Sequence, residues 1–152
     1  MILAVDPGGT TGVALHGGLP VSTYFFEVPG GHLGFVDWFH TRTDTSGAYA
    51  DHHLDIVCES FIPRPGALTH QPDASYIIGY LKMWAHRKGM SFKLQSPAQA
   101  KSFSTNAKLK AAGLYPVGKG HAQDAARHLL VHLVSTDPQG AIARKLAEGL
   151  SL

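Results

Sequence analysis

The chain has 152 residues, 44% hydrophobic and 16% charged, with a formal net charge of +2. That is the profile of one ordinary folded domain over residues 1–152, able to bury roughly two-thirds of its unfolded surface, and it excludes a disordered tail. No apolar run approaches the ~20 residues that span a bilayer, no basic-then-apolar leader precedes Ile2, and the lone Cys58 excludes an internal disulfide framework or a CxxC zinc module. A soluble, unexported protein is expected, with Cys58 a small buried residue in the apolar run Leu54 to Cys58.

Met1 to Asp6 is a short apolar run closed by an acid and reads as a buried strand. Pro7-Gly8-Gly9-Thr10 is dense turn chemistry; Thr11 to His16 resumes as a strand, Gly17-Gly18 turns again, and Val21 to Val28 is a third strand. Tight turns between the three imply an antiparallel meander. Within His32 to His53 the first part reads as a helix, with Thr41 to Gly47 loop-like. Leu54 to Phe61 is a further buried strand, followed by the breaker Pro63-Arg64-Pro65-Gly66. Asp73 to Lys88 spaces Tyr76, Ile77, Tyr80, Leu81 and Trp84 as an amphipathic helix, and Ser91 to Gln95 is a short strand. Pro97 opens a helix through Phe103, Lys108 to Ala112 adds a turn, and Gly120 to Val134 and Gly140 to Leu150 are the last helices. In outline the order is β-β-β-α-β-α-β-α-α, a mixed α/β domain with a meander followed by alternating helices and strands.

Charge is unevenly distributed. Eleven of the thirteen Lys and Arg residues follow Tyr76, alongside only three acids, while the first 75 residues hold two bases and eight acids. Such asymmetry suggests a face that attracts a polyanion.

Three acids occupy unusual places. Asp6 closes the first strand, Glu59 interrupts an apolar strand where an unpartnered carboxylate is costly, and Asp124 sits amid Ala and Leu on the last strong helix. His121 and His128 fall on roughly the same helix face as Asp124. Singly, each acid has a plain reading: a turn cap, a water-facing edge residue, a salt-bridge partner for Arg127. Together, if the first and fourth strands are neighbours under that helix, the three carboxylates converge. Such a cluster calls for hard cations, Mg²⁺ or Mn²⁺ rather than zinc. Two such ions about 4 Å apart activate water and stabilise the leaving oxygen of a phosphodiester. GxSxG, P-loop and HExxH motifs are absent.

The opening Ile2-Leu3-Ala4-Val5-Asp6-Pro7-Gly8-Gly9-Thr10-Thr11-Gly12-Val13-Ala14, the strand Ile56-Val57-Cys58-Glu59 and the helix Gly120-His121-Ala122-Gln123-Asp124-Ala125-Ala126-Arg127-His128 resemble, in that order, the RuvC-like Holliday junction resolvases. The resemblance implies an RNase H-like fold with a mixed five-stranded sheet, a three-strand meander plus two parallel strands. It further implies a homodimeric endonuclease that resolves branched DNA with Mg²⁺ or Mn²⁺, in the cytosol of a bacterium or encoded by a phage. Asp6, Glu59 and Asp124 would be metal ligands; His121 would take the fourth place, as a ligand or as a handler of the attacking water's proton. Phe61 or Ile62 is the nearest match to the apolar side chain that such resolvases push into the junction, although the Pro63–Gly66 loop departs from the pattern. Lys101, Lys108, Lys110 and Lys119 are candidate phosphate contacts, and Tyr76, Tyr80 and Trp84 candidate dimer contacts or core residues.

Other readings remain open: the same fold cutting flaps, forks or RNA, a branched-DNA-binding protein without catalysis, or an ATP-binding protein of the actin and sugar-kinase type. The last has a similar glycine-rich hairpin but needs two domains around its nucleotide. Binding without cutting fits poorly with three retained acids, which repel phosphate.

Overall fold

A computed structural model of the chain describes residues 1–44, 46–47, 49–50, 52–61 and 72–149. Ile62 and the Pro63–Gly66 breaker lie outside them. The strands are β1 (Ile2–Asp6), β2 (Thr10–Gly17), β3 (Ser22–Pro29), β4 (Asp55–Glu59) and β5 (Phe92–Gln95). They form one five-stranded sheet in the order β3-β2-β1-β4-β5. β1–β2 and β2–β3 pair antiparallel, β1–β4 and β4–β5 parallel, as the resemblance implies. The β1–β2 turn is held by Thr11, whose hydroxyl donates to the Gly8 carbonyl at 3.2 Å.

Strand side chains alternate between faces, and here each face has its own core. Leu3, Val5, Val13, Leu15, Ile56 and Cys58 pack on α1 (Gly31–Thr43) and α2 (Pro72–Lys88). The expected loop over Thr41 to Gly47 begins later, because the helix runs on to Thr43. The hydroxyls of Thr41 and Thr43 donate to the carbonyls of Asp37 and Phe39, a bond that a helix's last turn tolerates. Within this layer Phe39 is buried, stacked with Phe35 and met edge-on by Tyr80 and Trp84 at centroid distances of 5.9 and 4.8 Å. Tyr80 and Trp84 therefore serve the core, whereas Tyr76 is exposed beside His32. Phe39→Ala should lower stability by about 3–5 kcal/mol. A lower urea midpoint at unchanged slope is the expected measurement.

The opposite face is lined by small residues. Ala4, Ala14 and Val57 pack against Ala125, Ala126, Leu129 and Leu130 of α5 (Gly120–Thr136), flanked by α4 (Asn106–Ala112) and α6 (Ala141–Gly149). Four helices follow β5, where the outline order ended in two. α3 (Pro97–Phe103) stops at Ser104, and Thr105 restarts the chain as α4 by accepting a hydrogen bond from the Lys108 N–H. Cys58 is free and buried. Among the described residues no helix is long and apolar enough to cross a membrane.

Candidate active site

The sheet register explains how residues far apart in sequence meet. Asp6 pairs with Gly12, Gly12 with Glu27, and Glu59 with Gln95; Val5 pairs with Cys58, so one step further Asp6 lies beside Glu59. The row Glu27–Gly12–Asp6–Glu59–Gln95 thus crosses all five strands at the carboxyl end of β1. By the two-residue alternation it lies on the small-residue face. The first turns of α5 rest on this row. A Cβ on Gly12 would stand 1.9 Å from the His121 carbonyl oxygen, so the helix backbone meets the strand backbone directly.

This contact sets the positions of the α5 side chains. His121 is half exposed, its Nδ1 3.5 Å from Asp6 Oδ2. Asp124 accepts from Arg127 Nε at 3.1 Å, and Lys101 Nζ lies 3.5 Å from its other oxygen. Arg127 is itself fixed by the Ser104 carbonyl at 2.6 Å and Asn106 Oδ1 at 2.8 Å. The plain reading of Asp124 as an Arg127 partner is thus correct, and the pair holds the carboxylate in place. Glu59 accepts from His128 Nε2 at 2.8 Å.

Asp6 is only 14% exposed. Its pKa is pushed up from 3.8 to about 7, first by burial, then by repulsion from Glu59 and Asp124, with His121 opposing the rise. Asp6 therefore senses both of the other acids. Among the described residues, no three His, Cys, Asp or Glu side chains are close enough together to hold an ion as they stand. Glu59 is engaged by His128, and Asp124 by Arg127 and Lys101. The donor chemistry fits a hard divalent cation, which would relieve the repulsion that disfavours the Asp6 anion.

No family model and no curated protein matches the sequence. Solved structures do match in shape. Thermus thermophilus RuvC in complex with a Holliday junction substrate superposes with a TM-score of 0.61 at 16% identity, over 91% of this chain and 95% of that one. A further Thermus thermophilus RuvC structure gives 0.58 at 17% identity, over 90% and 95%. The chain has the fold of RuvC.

On this RuvC-like frame, two residues of the site were not picked out from sequence. Glu27, an exposed residue of β3, accepts the His121 N–H at 2.9 Å and ties the start of α5 to the sheet. Gln95 contacts His128 Nδ1 at 2.9 Å. Glu27 shares the parity of core-facing Phe25, a signal that could have marked it as inward-facing. Lys119 stands at the N-cap of α5 and donates from its amine to the Phe25 carbonyl at 2.9 Å, and Lys101 adjoins Asp124. Lys108 and Lys110 lie over the rings of Phe103 and Tyr115. Phe61, directly after β4, is half-buried. A cleft of about 560 Å³ lined by His16, Thr23, Leu114, Leu133, Asp137 and Lys145 contains none of Asp6, Glu59 and Asp124. The acid row instead lies along the rim of the sheet, a placement suited to a polymer lying across it.

Proposed function

We propose that the chain is a metal-dependent endonuclease that cuts branched DNA, with Asp6, Glu59, Asp124 and His121 as its active site. One observation carries the reading: on a RuvC-like fold, the largely buried Asp6, at the sheet's carboxyl end against the first turns of α5, is repelled by two further carboxylates, Glu59 and Asp124. A solved RuvC of this fold is bound to a Holliday junction.

Asp6, Glu59 and Asp124 would hold Mg²⁺ or Mn²⁺, which when bound supplies an activated water and charge stabilisation at phosphorus. His121, half exposed beside Asp6, would take or return a proton at the attacking water. Arg127 and Lys101 restrain Asp124, and Lys101 and Lys119, with Lys108 and Lys110 of α4, would take backbone phosphates. Phe61 would meet the bases of an opened junction. A homodimer would offer two such sites to the two symmetric strands of a four-way junction, and α2 presents exposed Tyr76 and Met83 for that contact.

The test incubates the protein with labelled four-way junction, flap, linear duplex and RNA–DNA hybrid, in Mg²⁺, Mn²⁺ or EDTA. Cutting of branched DNA should require the ion and vanish in Asp124→Asn while junction binding persists. Undiminished cutting in EDTA, or by Asp124→Asn, overturns the assignment; preference for the flap or the hybrid assigns the same site a different substrate.

A further inference from the structure

We propose that His128 is a positioning residue for Glu59, fixing the carboxylate from beneath so that one of its oxygens is kept for a cation; this rests on the reading of Glu59 as a member of the active site. His128 faces the sheet from α5 at 1% exposure, between the apolar positions Ala125 and Leu129. An imidazole there is costly unless both nitrogens are satisfied, and a leucine would serve packing better. Both nitrogens are in fact used: Nε2 is 2.8 Å from Glu59 Oε2, and Nδ1 is 2.9 Å from the Gln95 side-chain amide. Gln95 is the register partner of Glu59 on the neighbouring strand. One ring therefore bridges two adjacent members of the polar row.

Two arrangements satisfy both contacts. An imidazolium donates to Glu59 and to the Gln95 oxygen, or a neutral ring accepts at Nδ1 from the Gln95 amide nitrogen after a half-turn of that amide. In both, Nε2 carries a proton and donates it to Glu59. It is the Glu59 carboxylate, which can only accept, that requires the Nε2 proton; Gln95 serves either form of the ring, through its oxygen or its amide nitrogen. With Oε2 taken, Oε1 is the carboxylate oxygen left uncommitted among the described residues. Glutamate has three rotatable side-chain bonds, and a partner that restrains them reduces the ordering cost of ion binding.

The full-length chain tests this with His128→Leu, His128→Gln, Gln95→Leu and Glu59→Gln, by two readouts: junction cleavage against Mn²⁺ concentration, and thermal midpoint against Mn²⁺ without DNA. His128→Leu should raise the Mn²⁺ needed for half-effect about 10–100-fold in both. His128→Gln, which keeps a donor, should recover most of that loss, and Gln95→Leu should fall between. Wild-type Mn²⁺ dependence in His128→Leu, with Glu59→Gln inert, overturns the positioning role and leaves the nuclease reading standing. A loss in His128→Gln equal to that in His128→Leu shows that packing, not donation, is at stake and likewise overturns it. Wild-type Mn²⁺ dependence in Glu59→Gln removes the role of Glu59 and this proposal together. If His128→Leu does not fold, Gln95→Leu decides: unchanged Mn²⁺ dependence there rejects the chain from Gln95 through His128 to Glu59.

Discussion

Asp6→Asn should melt at a higher temperature than wild type in ion-free buffer at pH 8, while cutting junctions at least about a thousandfold more slowly, a loss of roughly 4 kcal/mol in transition-state stabilisation. Both effects come from the same carboxylate. In the unfolded chain Asp6 ionises near 3.8, and in the fold near 7. Between those values the native state keeps a proton that the unfolded state has released, so ion-free stability falls as pH rises through that window and is level above it. The full penalty at pH 8 is on the order of 4 kcal/mol. A neutral amide removes it, and at about 2–4 °C per kcal/mol for a domain of this size the gain is roughly 10 °C. At pH 4 wild-type Asp6 is already protonated, so the gain should disappear. Mg²⁺ should raise the wild-type midpoint at pH 8 and leave Asp6→Asn almost unchanged. A gain of equal size at pH 4 and pH 8 would mean that packing, and not the buried charge, separates the two proteins.

The three acids could be read from sequence because each breaks a local pattern. Asp6 ends an apolar strand at a glycine turn, Glu59 interrupts a hydrophobic run, and Asp124 lies on the apolar side of a helix. The meander is likewise legible in its tight turns, whereas the two parallel strands come from the family resemblance. What escaped notice depends on pairing between strands. Glu27 reaches the site only because Gly12 aligns it with Asp6, and Gln95 only because it is the partner of Glu59. His128 was placed on the correct helix face, but its contact with Glu59 depends on how closely α5 approaches the sheet. No single segment encodes that distance; it results from Gly12, Ala4 and Ala14 lying opposite Ala122, Ala125 and Ala126.

This close approach makes the site unusually dependent on one residue that carries no functional group. Gly12→Ala should abolish junction cleavage and destabilise the fold by roughly 1–3 kcal/mol or more. The added Cβ would lie 1.9 Å from the His121 oxygen, 2.2 Å from its carbonyl carbon and 2.8 Å from the Ala122 nitrogen, all backbone atoms that no side-chain rotation can move aside. Gly12 is flanked in the sheet by Asp6 on one side and Glu27 on the other, so the strand cannot shift without disturbing both. The helix must lift instead, which takes His121 away from Asp6, loosens the Glu27 cap and moves Asp124 outward. A displacement of about 1 Å at a reacting centre costs on the order of a hundredfold in rate. Three groups moving together should cost more, even in the fraction that stays folded. The informative comparison is with Gly79→Ala, at an exposed position of α2 where an added Cβ meets nothing within 4 Å. That change should leave the Mn²⁺ dependence of the thermal midpoint unchanged and slightly raise helix stability. Cleavage at the wild-type rate by Gly12→Ala would show that α5 can rise off the sheet without disturbing the chemistry, and that the acids do not need the helix seated on this strand.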